Sequence, residues 1–161
     1  MSKRWKPNVT VAAIIERDGQ FMLVEEETSN GLMLNNPAGH LDAGESLAAA
    51  CTREVLEETT HAFTPISLVG MYMSRTRPSQ TGQDTTYLRF AFCGELGAPQ
   101  PGAQLDTGIV RTLWMTADEI RASVGRHRTP LLLRCVEDYL AGQRLPLNLI
   151  FMDSSVYMLN N

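Results

Sequence analysis

The sequence predicts a single α/β domain over residues 1–161, on three observations. The chain has 161 residues, of which 43% are hydrophobic and 20% charged, the size and makeup of one compact globular unit. Runs rich in β-branched and aromatic residues recur at 9–16, 20–27, 66–75, 85–96 and 109–115, each bounded by turn formers. Between and after them lie segments of helix formers with recognisable start and stop chemistry. A chain of this length buries roughly two thirds of the surface its unfolded form exposes, so it folds without a disulfide or structural metal.

Each element follows from its own residues. "VTVAAIIE" at 9–16 and "QFMLVEEE" at 20–27 flank "RDG", which predicts a β-hairpin. After the loop "TSNG", the stretch "LMLNNPAGH" is punctuated by Pro37 and Gly39 and reads as a short extended piece. Ser46 is an N-cap for a helix running from Ala48 to Glu58. "ISLVGMYMSR" and "TTYLRFAFCGEL" read as two strands joined by a polar loop at 77–85, and "GAPQPGAQLDTG" at 97–108 as a surface loop. "IVRTLWM" is a strand that runs into Thr116, which forms a capping box with Glu119. Thr129 and Pro130 open a last helix that Gly142 ends. The tail after 143 shows no clear period.

Charge and cysteine usage narrow the function. A net charge of −4 argues against a long nucleic acid as partner, because that affinity comes from basic side chains on phosphates. Cys51, Cys93 and Cys135 are far apart and read as buried thiols rather than as a disulfide or zinc framework. No apolar run follows the basic N-terminus and none approaches the ~20 residues of a membrane span, so a cytoplasmic location is expected.

The stretch "GHLDAGESLAAACTREVLEETT" at 39–60 concentrates acidic residues on a helix. At about 100° per residue, Glu54, Glu57 and Glu58 share an arc of roughly 100°, and Ala48, Thr52, Val55, Leu56 and Thr59 lie opposite. This predicts an acidic outer stripe with Leu56 in the core. A solvated face is one reading. The other is a half-shell for a hard divalent cation, which takes oxygen ligands and sits between one or two carboxylates and substrate phosphates. Gly39 would add a backbone carbonyl, since a residue without a side chain lets the main chain approach an ion.

The order Gly39, five residues, Glu45, seven residues, then Arg53-Glu54-Val55-x-Glu57-Glu58 resembles the signature of the Nudix hydrolases. Thr60 and His61 depart from it, standing where the family has Gly and an aliphatic residue. The resemblance implies an α/β/α sandwich with a mixed, curved sheet between helices. It further implies hydrolysis of a diphosphate linked to another moiety, with Mg2+ or Mn2+ as cofactor. Residue by residue, it makes Gly39, Glu54, Glu57 and Glu58 metal ligands and Glu54 also a candidate base. Arg53 would orient a glutamate, and Glu45 would support the loop and Arg53. The stretches "NPAGHLDAGESL", "VEEETSNG", "LRFAFCGEL" and "GQRLPL" resemble the bacterial NudJ-type phosphatases, which act on nucleoside di- and triphosphates and on the hydroxymethylpyrimidine pyrophosphate of thiamine biosynthesis. A nucleotide-sugar or ADP-ribose pyrophosphatase and a non-catalytic nucleotide-binding regulator are the rival functions.

Outside the motif, strand alternation puts Leu88, Phe90 and Phe92 on one face and Arg89, Ala91, Cys93 and Glu95 on the other. The first set is core. The second reads as a cleft face, with Glu95 as an extra metal-site carboxylate and Arg89 as a phosphate contact, or as two solvated edge charges. His40 either touches substrate or bonds backbone. Arg75 and Arg77 meet either a substrate's anionic end or water. Met71, Met73 and Trp114 are expected in the core. The partner is a small phosphoanhydride, not a nucleic acid polymer or a membrane.

Overall fold

The computed structural model describes residues 4–76 and 84–158. Strand β1 (Asn8–Ile14) is the axis of the fold. It pairs parallel with β7 (Thr85–Pro99) on one side and antiparallel with β5 (Ala38–His40) on the other. The sheet continues from β7 to β6 (His61–Thr76) and then to the short β9 (Leu145–Pro146), in the order β5-β1-β7-β6-β9. A strand with neighbours on both edges and layers on both faces reads as an unbroken apolar run, and Val11 through Ile15 are all buried.

The predicted hairpin is corrected here. Only β2 (Glu16–Arg17) folds back on β3 (Gln20–Thr28), with the turn carried by Asp18 and Gly19 at positive φ. The chain leaves the first sheet after β1. β3 then pairs with β4 (Gly31–Asn35) and with β8 (Ile109–Thr116) in a second sheet. Both faces of β1 are apolar, so it serves as a central strand, and a two-strand hairpin would have left one face in water.

Helices cover the two sides. α1 (Leu47–Thr59) packs with Val11, Ala13, Phe63, Leu68 and Phe92. α2 (Ala117–Ala122) and α3 (Leu131–Leu140) close the other core, which includes Ile14, Leu34, Val69, Ala91 and Cys93. This is the expected α/β/α sandwich with a mixed sheet. The strand alternation holds through Cys93, because Phe90 and Phe92 fall in one core and Ala91 and Cys93 in the other.

Local chemistry accounts for the ends. Ser46 Oγ accepts from Ala49 N at 3.1 Å, and Thr116 and Glu119 form the capping box. Thr60, at the family's glycine position, ends α1 in the left-handed region at φ 64°, with its N–H on Leu56 O at 2.8 Å. β7 extends to Pro99, so the predicted loop at 97–108 begins later. The tail forms β9 and two 3-10 turns, Leu147–Leu149 and Ser154–Tyr157, and Leu147 and Ile150 pack on the α1 core. Met71 and Met73 are 61% and 62% exposed rather than core, whereas Trp114 is partly buried against the α1 core. All three cysteines are buried thiols. No helix among the described residues is long and apolar enough to cross a membrane.

Candidate active site

The face of α1 is the main correction to the sequence reading. Leu47, Ala50, Cys51, Val55, Glu58 and Thr59 are its buried residues, so Glu58 points inward at 8% exposure and Leu56 belongs to neither core. The Glu54 side chain is only 12% exposed and that of Glu57 43%. A polar stripe centred on Glu54 and Glu58 therefore faces β5, which carries Gly39. Amphipathicity alone places carboxylates in water; here the backbone of β5, not solvent, meets Glu54 and Glu58.

Arg53 ties the site together. Its Nε and Nη2 donate to the two oxygens of Glu45 at 3.1 and 2.7 Å, Nη1 donates to Glu54 at 2.7 Å and Glu57 at 3.2 Å, and Nη2 also reaches His40 O at 2.9 Å. Glu45 accepts further from Asp42 N at 2.8 Å. Hydrogen bonding from Arg53 holds the Glu45 carboxyl below its ordinary range, and Glu45 in turn raises the pKa of Arg53. One guanidinium thus links the loop to two helix carboxylates.

Burial outweighs such compensation at the inner carboxylates. Burial pushes the Glu58 carboxyl up to about 8; its bond from Ala38 N at 2.8 Å opposes this, and the charges of Glu26, Glu54 and Asp106 add to it. Burial also raises Glu54, against the pull of Arg53. At Gly39 a Cβ would lie 2.0 Å from Glu54 Cδ, so any larger residue on β5 would displace the Glu54 carboxylate from where it stands. Buried oxygen donors that hold excess negative charge beside the backbone of β5 suit a hard divalent cation. Among the described residues no three His, Cys, Asp or Glu side chains are gathered tightly enough to hold an ion by themselves. Mg2+ in such sites completes its shell with waters and phosphates.

Other predicted residues fall at varying distances from this cluster. Arg89 is 6% exposed, with Asn36 and Asn35 amide oxygens 3.5 Å from its Nη1 and Nη2. Burial lowers its pKa, and the charges of Glu26 and Glu58 act on it. Glu95 is exposed, opposite Thr64, and is not among the carboxylates that act on Glu58. Six residues of strand at about 3.3 Å each separate it from Arg89, too far for both to serve one cluster. His40 is exposed, with its ring 6.2 Å from that of Tyr87. Arg75 pairs with Asp84 near the start of β7, its Nε donating to Oδ1 at 2.6 Å, in a contact separate from the cluster. Arg77 lies outside the described residues. Glu26 and Asp106, whose charges do act on Glu58, were not singled out from the sequence. The run of glutamates at 25–27 held the signal, because alternation along a strand turns at least one of them away from its neighbours.

The comparisons with known proteins agree with this geometry. The family model described as "NUDIX domain" matches residues 5–134. The chain belongs to the Nudix family.

Among curated Nudix relatives, Phosphatase NudJ of Escherichia coli strain K12 is 36% identical over 146 residues, covering 91% of this chain and 92% of that protein. Phosphatase NudJ of Shigella flexneri matches equally. A solved Nudix hydrolase from Nitrosomonas europaea superposes with a TM-score of 0.83 at 52% identity, covering 92% of this chain and 98% of that one. The protein is a Nudix hydrolase, an enzyme family that acts on phosphoanhydrides with divalent metal ions.

Proposed function

We propose that this Nudix hydrolase is a Mg2+-dependent phosphatase, with Mn2+ as a substitute, acting in the cytoplasm. Its substrates are nucleoside di- and triphosphates and the thiamine-precursor hydroxymethylpyrimidine pyrophosphate, and it releases orthophosphate. The observation that carries this reading is the likeness to Phosphatase NudJ over 91% of the chain.

In this reading Glu54, Glu57, Glu58 and the Gly39 carbonyl would hold the cation, which would supply neutralisation of phosphate charge and activation of a water. Phosphoryl transfer asks the protein chiefly for positioning and electrostatics. Arg53 sets the direction of the Glu54 and Glu57 carboxylates, and Glu45 fixes Arg53. Glu54, raised by burial, takes the proton of the attacking water. Arg89 is a buried positive charge held by Asn35 and Asn36. His40 beside Tyr87 offers the substrate's ring a surface, and Arg75, paired with Asp84, is a further contact for a longer anionic substrate.

A substrate panel with Mg2+, scored for orthophosphate, pyrophosphate and nucleoside monophosphate, tests it. Orthophosphate is the expected product, and Glu57→Gln cuts its release by about a hundredfold while the fold persists, because a metal-held charge is lost from a half-exposed site. Nucleoside monophosphate as the product would instead assign a pyrophosphatase.

A further inference from the structure

One arginine-rich feature lies outside the family motif, where the end of β3 meets the segment after α2. Glu25, buried at 3%, pairs with Arg111 at 2.7 Å and with Arg126. The next residue, Glu26, forms an ion pair with Arg128 Nη1 at 3.0 Å and accepts from Asn35 Nδ2 at 3.1 Å. Three guanidiniums against two carboxylates leave a surplus of one positive charge, in a protein whose net charge is −4.

The backbone holds the outer arginine in place. His127 forms a parallel bridge with Leu34, and Arg128 N donates to Leu34 O at 2.9 Å. The segment therefore runs beside the edge of β4 like an added strand. The His127 ring turns back to Ser123 Oγ and Ile120 O, at 3.2 and 3.0 Å. Arg128 spends one nitrogen on Glu26 and is half-exposed, so the rest of its planar fork faces outward. Glu26 itself is in the field of Glu58 and Arg89. Asn35 joins the two regions by hydrogen bonds, donating Nδ2 to Glu26 at 3.1 Å and offering Oδ1 to Arg89 Nη2 at 3.5 Å.

Surface ion pairs add little to stability. A guanidinium held rigidly by a carboxylate, however, is pre-organised to grip a phosphate with two parallel hydrogen bonds. We propose that Arg128, positioned by Glu26 and Leu34, binds a phosphate of the substrate that the carboxylate helix does not hold, and so favours nucleoside triphosphates over diphosphates. Arg126 on Glu25 is the second cation of the same rim. Glu26 is a positioning residue: it aims Arg128 without contacting substrate.

This inference rests on the phosphatase reading, and the test separates the two. KM and kcat are measured for a nucleoside triphosphate and its diphosphate, and binding of inorganic tripolyphosphate is measured by calorimetry with Mg2+ present. Loss of a charge-assisted contact predicts that Arg128→Gln raises the triphosphate KM about tenfold, leaves kcat within about twofold, and weakens tripolyphosphate by the same factor. The diphosphate KM changes less, and Arg128→Lys recovers part of the loss. If a variant with a wild-type melt keeps both the triphosphate KM and tripolyphosphate affinity, the proposal is wrong; equal KM changes for both nucleotides also overturn it. Should Arg128→Gln not fold, Arg126→Gln is expected to move KM in the same direction, and no movement counts against the rim. Wild-type protein that releases no orthophosphate yet loses tripolyphosphate on Arg128→Gln would sink the phosphatase reading and leave the rim standing.

Discussion

Arg53 and Glu45 meet as fork on fork: Nε and Nη2 of the guanidinium donate to separate carboxylate oxygens at 3.1 and 2.7 Å, which leaves Nη1 for Glu54 and Glu57. A lysine offers one charged point and cannot make these contacts together. Arg53→Lys is therefore expected to lower kcat by about ten- to a hundredfold, because misplaced catalytic groups lose positioning. The measurement is steady-state kinetics at saturating Mg2+. An unchanged kcat would mean that the fork is structural only.

Glu58 gives the metal-free protein a pH signature. Its folded-state carboxyl is raised from 4.5 to about 8, so the folded form holds a proton that the unfolded form releases. That contribution to stability is complete below the unfolded value and disappears as pH rises through about 8. The lowered groups, Glu25 and Glu45, act in the other direction, and only as pH falls below the ordinary carboxylate range. Without metal, Tm should fall between pH 5 and pH 8, while saturating Mg2+ raises Tm more at the higher pH because binding needs the ionised carboxylate. A metal-induced shift in Tm that does not vary with pH would rule out Glu58 as a ligand.

Core burial on α1 separates two neighbours. Val55 is 0% exposed, while Leu56 lies outside both cores. Val55→Ala should cost about 1.5–3 kcal/mol of stability, the worth of burying such a side chain, and Leu56→Ala distinctly less. Chemical denaturation of the two variants decides; the reverse ranking would restore the helix face read from periodicity.

Thr60 sits at φ 64°, a region that β-branched residues rarely occupy. Strain of this kind is worth about 1–3 kcal/mol, partly offset by the extra freedom of glycine in the unfolded chain. Thr60→Gly should raise Tm and leave kcat unchanged. A lower Tm would show that the side chain supplies a compensating contact.

Much of this was legible from residue order. Gly39, Glu45, Arg53, Glu54, Glu57 and Glu58 give the family's motif at fixed spacing, and the caps at Ser46 and Thr116 formed as local side-chain geometry requires. Such features depend on neighbours within a turn or two, which a sequence states directly. The inward turn of Glu58, the exposure of Met71 and Met73, and the company kept by Glu26, Asp106, Arg89 and Arg128 were decided by tertiary structure. Periodicity assigns a helix an apolar face but cannot say that the start of β5 at Ala38 will meet a carboxylate there with an N–H at 2.8 Å. Nor can it say that residues 26 and 128, far apart in the chain, will pair across two elements, because contacts of that separation depend on how the sheets stack.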